Sequence, residues 1–255
     1  MHMIEFLYIL EREIATIVRK NFPLDWKEDV ISHSIAKCMR NQFRKTTLRG
    51  IRIPLDIEWE SYKLHGPRES DHVDIGVLIS YRLPSGKVLE GAGFIEAKLR
   101  ARNSTKFTQV RPKQVNRILK RSPMTRLLLY DYNPVVVLDN LDDEYYFRRL
   151  YGHSSSHTSV TTHTPVLPLN LAAAINQYDD ELYRYCYSLA HQFVYRYFHL
   201  HDLDFSKVAI DAVKGFPGTL GSPNIVMVVR VATEGQELPG VENSKLNSNT
   251  YTVLE

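Results

Sequence analysis

The hydrophobic pattern changes period several times along the chain. Ile4, Leu7, Leu10 or Glu11, Ile14 and Val18 recur at helical spacing, which predicts a first amphipathic helix over residues 4–19. Asn21, Phe22 and Pro23 end it. Asp25 stands in a capping position with Glu28 three residues later, so a second helix is expected from there to about Lys45. Its stripe is Ile31, Ile35, Cys38 and Gln42, and Glu28 lies on the same side. The period then drops to two. Ile51, Ile53 and Leu55 alternate, residues 57–64 have strand-like aromatic density, and residues 65–68 form a turn. Val73, Ile75, Val77 and Ile79 alternate next. Pro84-Ser85-Gly86-Lys87 turns the chain into a returning strand over residues 88–99. On that strand Ile95, Ala97 and Leu99 face one way, and Glu96 and Lys98 the other.

Further along, residues 108–120 predict a helix with Pro112 in its first turn. Residues 126–130 predict a short strand, and residues 134–138 form a second apolar run. Residues 152–164 are rich in Ser, Thr and His and lack apolar periodicity, which predicts a mobile loop. Residues 169–199 read as one long aromatic helix, residues 208–213 and 225–231 as late strands, and the tail after Glu234 as weakly ordered. The pattern divides into an N-terminal helical extension (1–24), a core (25–151), a flexible loop (152–168), a C-terminal helix and strands packed on that core (169–234) and a tail (235–255).

Composition adds exclusions. The 255 residues are 44% hydrophobic and 24% charged, which excludes collagen-like, coiled-coil and wholly disordered chains. Cys38 and Cys186 are too few for a disulfide scaffold, so reduced thiols and a cytoplasmic location are expected. No apolar run is long enough for a membrane span, and the first residues lack the marks of a signal peptide. A net charge of +3 says little, but its distribution says more. Residues 97–130 contain no acid and ten bases: Lys98, Arg100, Arg102, Lys106, Arg111, Lys113, Arg117, Lys120, Arg121 and Arg126. A polyanion would meet a strong local positive field there.

The candidate chemistry lies in Asp74 and in Glu96-Ala97-Lys98. Glu96 and Lys98 share a face of one strand, and a hairpin brings Asp74 beside them. Two carboxylates are hard oxygen ligands for Mg²⁺ or Mn²⁺. A bound cation activates water for phosphodiester hydrolysis, and Lys98 stabilises the developing charge. The Ala97 carbonyl is positioned to complete the coordination, and Gly76 leaves room beside Asp74. His153, His157 and His163 have spacing compatible with zinc but read as loop histidines. The aromatic series from Tyr178 to Phe198 reads as core packing or a dimer face rather than base stacking.

Asp74 with Glu96-Ala97-Lys98, in a helix, strand, hairpin, helix, strand order over residues 25–131, resembles the PD-(D/E)xK nuclease superfamily. One departure is that His72 and Val73, with no proline, precede Asp74. The resemblance implies an α/β fold, restriction-endonuclease-like, with a mixed sheet flanked by helices and elaborated by further helices and strands. It implies Asp74 and Glu96 as metal ligands and Lys98 as the catalytic lysine. It adds an acid from the preceding helix, for which Glu28 is chosen over Glu58 and Glu60, and a glutamine from the following helix, for which Gln114 is chosen over Gln109. Arg100, Arg102, Lys106, Arg111, Lys113 and Arg117 would then follow a phosphate track. The implied partner is nucleic acid, DNA in the first place, with a homodimer or a larger defence complex as the assembly and defence, restriction or repair as the setting. The competing readings are a catalytically inactive nucleic-acid-binding or scaffold protein of the same fold, and a structural subunit that uses its aromatic C-terminal region as an interface.

Overall fold

The computed structural model describes residues 1–50, 53–65, 73–108, 111–137, 161–218 and 221–254. The first helix, α1 (Met3–Asn21), buries Phe6, Leu10, Ile14 and Val18 along one stripe. It starts where the His2 ring accepts a hydrogen bond from the Ile4 amide. Helix α2 (Glu28–Gln42) begins three residues later than the expected Asp25 cap. The Asp25 amide instead donates to the Asn21 carbonyl in the turn that closes α1. Glu28 is thus the first helical residue, and its side chain is free to reach outside the helix. The buried stripe runs through Ile31, Ile35 and Met39, leaving Cys38 half-buried and Gln42 exposed. The helix stops short of Lys45 because residues 45–48 already form a strand.

Among the described residues, nine strands build one mixed sheet in the order β1-β2-β10-β3-β4-β5-β8-β9, with β11 beside β2. They are β1 (Lys45–Leu48), β2 (Leu55–Leu64), β3 (Ile75–Arg82), β4 (Val88–Leu99), β5 (Arg126–Tyr130), β8 (Pro165–Pro168), β9 (Tyr187–Ser188), β10 (Ile225–Thr233) and β11 (Tyr251–Val253). A separate pair joins β6 (Val135–Val136) to β7 (Thr161–Thr162). The predicted β3–β4 hairpin forms, with Gly86 in the left-handed region at φ +83°. Strand β10 lies between β2 and β3, antiparallel to one and parallel to the other. The sheet centre therefore uses chain from far beyond residue 131.

Strand alternation divides the core into two layers. Ile75, Val77, Ile95 and Ala97 face α1, α2 and the aromatic segment, packing with Ile31, Ile35, Phe193 and Phe198. Leu78, Phe94, Leu127 and Leu129 face the other way, onto Val115 and Ile118 of α3 (Pro112–Arg121). That layer also holds Ala172 of α4 (Leu169–Ile175) and Val213 of α6 (Lys207–Lys214). Among the described residues, no helix is long and apolar enough to cross a membrane.

Several expectations are corrected. Residues 169–199 are not one helix. Helix α4 ends at Asn176 in the left-handed region, a 3-10 turn covers Asp180–Tyr185, and β9 intervenes. Then come an α-helical turn, α5 (Leu189–His191), a π-helical turn (Gln192–Arg196) and a 3-10 turn (Tyr197–His199). Phe193, Tyr197 and Phe198 are fully buried and belong to the core, while Tyr185 is exposed and Tyr183, Tyr187 and Tyr195 are half-buried. Residues 208–213 are helical, not a strand: Ser206 caps α6 and Gly215 ends it in the left-handed region. Their buried positions, Ala209, Ala212 and Val213, have helical spacing. Of the expected flexible loop, residues 152–160 lie outside the described residues, while residues 161–168 contain β7 and β8. The tail is anchored: β11 pairs with β2, and the Leu254 amide donates to the Ser61 carbonyl. Ile53 is exposed ahead of β2, and residues 51, 52 and 66–72, with most of the predicted turn, lie outside the described residues.

Glu11 belongs to the buried stripe of α1 and faces Thr162 and Ser188. Burial pushes its carboxyl up to about 7, against the opposing pull of those two hydroxyls. A carboxyl raised on folding favours the folded state at low pH, and that contribution is lost as pH rises through about 7. Thermal unfolding should therefore show Glu11→Gln gaining melting temperature over wild type at pH 8 but little at pH 5. An equal difference at both pH values would refute the assignment.

Candidate active site

The site arises from a mismatch in strand length. Strand β3 begins at Ile75 opposite Ile95, so Glu96 to Leu99 of β4 project beyond it. Their other side stays paired with β5, Glu96 opposite Leu127 and Leu99 opposite Tyr130. The amides of Ala97 and Leu99 face the edge that β3 vacates, and buried amides require acceptors. Asp74 Oδ2 accepts from Ala97 at 2.8 Å. Glu28 Oε1 and Thr108 Oγ1 accept from Leu99 at 3.3 and 3.2 Å. Thr108 in turn donates to Glu28 Oε1 at 3.0 Å. Two carboxylates from different elements thus converge because one strand outruns its neighbour.

Glu96 and Lys98 project from the same face of that segment. Lys98 Nζ lies 2.8 Å from Glu96 Oε1 and 3.5 Å from Glu28 Oε2. Gln114, in the first turn of α3, donates to Glu96 Oε1 at 2.8 Å. Its direction follows from Val115 and Ile118, which dock α3 on the sheet. The structure therefore brings together Glu28, Asp74, Glu96, Lys98 and Gln114. Ala97 is buried, and its carbonyl points to the same edge as its amide. Glu58 and Glu60 lie in a different cluster, 3.1 and 3.5 Å from Arg230 of β10. Gln109 lies outside the described residues. Gly76 makes room for other side chains: a Cβ there would stand 2.7 Å from Pro223 Cγ.

Electrostatics follow from one buried carboxylate, Glu96, and two half-buried ones, Asp74 and Glu28, around one ammonium. Burial lifts Asp74 well above the ordinary carboxyl range, with Lys98 and the Ala97 amide opposing and Glu28 and Asp29 adding to the rise. Burial also lifts Glu96, reinforced by the charge of Asp74 and partly offset by Lys98. For Lys98 burial favours the neutral form, but Glu96, Asp74 and Glu28 outweigh it and raise the ammonium's pKa. Lys98 is thus a charged donor in this arrangement. Among the described residues, no group of three or more His, Cys, Asp or Glu side chains is arranged to hold a metal ion. Asp74 Oδ1 and Glu96 Oε2 carry none of the bonds above. His163 is buried, its Nδ1 2.8 Å from the Asp131 carbonyl, while His153 and His157 lie outside the described residues.

Several supporting residues had no signal in the sequence pattern. Thr108 fixes Glu28, and a buried contact of 2.8 Å between the Ser32 and Tyr130 hydroxyls ties α2 to the end of β5. Trp26 Nε1 donates to the Arg100 carbonyl at 2.9 Å. Phe22 stacks on Tyr132 with centroids 4.3 Å apart, and Trp26 meets both rings edge-on. Each such pair contributes roughly 0.5–1.5 kcal/mol beyond its burial, so the loop after β4 starts from a fixed base.

The basic segment divides into two groups. Arg100 departs from the expected phosphate contact. It donates to the Ser104 carbonyl at 2.6 Å, pairs with fully buried Asp131 at 2.7 Å and lies over the Tyr132 ring. Tyr183 also donates to Asp131. Arg100 is half-buried; Arg126 is buried and paired with Asp202. Arg102, Lys106, Arg111, Lys113 and Arg117 are exposed, and Arg102 donates to the Pro23 carbonyl. Comparison with protein-family models, curated proteins and solved structures gave no match.

The Arg100 assignment makes a stability prediction. Arg100→Ala leaves Asp131 buried without its cation and should cost about 3 kcal/mol in urea unfolding. A cost within about 0.5 kcal/mol, the usual range of a surface change, would return Arg100 to the exposed group.

Proposed function

We propose that the protein is a divalent-cation-dependent phosphodiesterase acting on nucleic acid, DNA in the first place. In this reading its site is of the PD-(D/E)xK type and its sheet is a variant of the restriction-endonuclease-like fold. The observation that carries the reading is the convergence of Asp74, Glu96 and Lys98 on the projecting end of β4, with Gln114 bonded to Glu96.

The donor chemistry fits a hard cation. Asp74, Glu96 and the Ala97 carbonyl would hold it, and the buried, mutually repelling carboxylates favour a positive charge between them. Mg²⁺ or Mn²⁺ bound there would acidify water and offset phosphate charge. Glu28, occupied by Leu99, Thr108 and Lys98, positions the lysine and serves the metal less directly. Lys98 stabilises negative charge on the scissile phosphate as an ammonium donor. Gln114 orients Glu96. Arg102, Lys106, Arg111, Lys113 and Arg117 neutralise flanking phosphates. A catalytically inactive nucleic-acid binder or scaffold is the second reading. It is favoured by the direct Lys98–Glu96 pair and the lack of a three-acid group among the described residues.

A cleavage assay on linear DNA, circular DNA and RNA with Mg²⁺ or Mn²⁺ separates the two readings. Wild type should cleave, and folded Lys98→Ala should lose on the order of 10²-fold or more. Equal cleavage by both proteins would overturn the mechanism, and no cleavage by wild type would leave the binding reading. The exposed bases have their own signature. Replacing Lys113 and Arg117 by Ala should reduce the slope of log affinity for duplex against log salt by about 2. An unchanged slope would remove α3 from the interface.

A further inference from the structure

A cavity of about 400 Å³ opens at the same end of the sheet as the carboxylate cluster. Its walls are the first turns of α2, the end of β2 and the start of β10. Two links join it to the site. Ile225, which lines it, donates its amide to the Asp74 carbonyl at 3.1 Å. Asp29, also in its wall, follows Glu28 in sequence, and its charge acts on Asp74.

The lining is mixed in a way that suits one ligand class. Val30, Leu64 and Ile225 supply apolar surface for the face of a planar ring. Asn224 offers an amide donor and acceptor. Ser34 spends its hydroxyl proton on the Val30 carbonyl at 2.8 Å, which leaves its oxygen as an acceptor. His33 is held toward the neutral form by burial, Lys63 and Lys37, so its ring keeps one donor and one acceptor. Among the described lining residues, exposed Lys63 at the rim is the one lysine or arginine, and Asp29 is the one acid. The volume falls within the roughly 300–1,000 Å³ of small-molecule pockets.

We infer that this cavity binds one nucleotide of the substrate, its base against Val30, Leu64 and Ile225 and its phosphate on Lys63, beside the phosphodiester held at Asp74. The inference rests on the phosphodiesterase reading for its biological meaning, but the binding itself is measurable without cleavage. A nucleotide so placed is unstacked from its neighbours, and its base edge is open to Asn224, Ser34 and His33. The cavity would thereby contribute base preference that the phosphate contacts of α3 cannot supply.

The test uses the full-length chain labelled with ¹⁵N and titrated separately with the four 2′-deoxynucleoside 5′-monophosphates and with inorganic phosphate. At least one nucleotide should give saturable shifts at the Ser34 and Asn224 amides, with tighter binding than phosphate. Lys63→Ala, at an exposed position, should weaken it about tenfold, the loss of one charge-assisted hydrogen bond. Ser34→Trp should abolish the shifts by filling the cavity. No saturable shift at these amides, or equal affinity for phosphate and every nucleotide, would overturn the inference. Shifts untouched by both substitutions would do the same. A chain that cleaves DNA yet binds no nucleotide here loses only this inference. One that binds a nucleotide but hydrolyses nothing loses only the phosphodiesterase reading.

Discussion

The unmet hydrogen-bonding demand of the β4 end organises this molecule. Four residues project past β3 while remaining buried and paired with β5 on the other side. Their outward amides must find acceptors, and the chain supplies carboxylates where a longer strand would have supplied carbonyls. A carbonyl would only have continued the sheet. A carboxylate satisfies the amide with one oxygen and brings a negative charge and a second oxygen into a buried place. The same segment carries Glu96 and Lys98 on its face, so backbone satisfaction and charge clustering occur together.

The cost of that arrangement appears in the protonation equilibria. Asp74 and Glu96 are both driven toward their neutral forms by burial, and Lys98 offsets only part of the penalty. Shifted carboxyls of this kind cluster at functional sites and also occur in structural ion-pair networks, and the former is the reading proposed for this site. The surrounding framework holds them in place through Thr108 on Glu28, Gln114 on Glu96 and the Ser32–Tyr130 contact between α2 and β5. Arg100 and Asp131 brace the loop that leaves the site, so the exposed bases of the following helix extend from a fixed origin.

The placement of Glu96 and Lys98 is legible in the sequence because it depends on local order. A turn at Pro84 to Lys87 followed by clean alternation gave β4 its limits and put Glu96 and Lys98 on one face. The helix stripe places Glu28 on the sheet-facing side although Asp25 does not cap α2, and its side chain bonds across elements to the Leu99 amide. Tertiary pairing was not legible. Nothing local tells Arg100 that Asp131 waits beneath it, or β10 that it belongs between β2 and β3. Residues 208–213 illustrate period ambiguity: a short apolar run fits either element, and Ser206 and Gly215 as caps decide it. The basic run divides by environment: half-buried Arg100 and buried Arg126 pair with acids remote in sequence, while Arg102, Lys106, Arg111, Lys113 and Arg117 are exposed.

The proposed function requires that the carboxylates at the β4 end form a divalent-cation site beside Lys98. Calorimetric titration of Mn²⁺ into the wild-type chain and into Asp74→Asn tests it without requiring a substrate. Wild type should bind Mn²⁺ saturably, with binding suppressed by Mg²⁺ competition and lost in Asp74→Asn while the fold is retained. Absence of saturable Mn²⁺ binding, or binding that Asp74→Asn leaves unchanged, would contradict it.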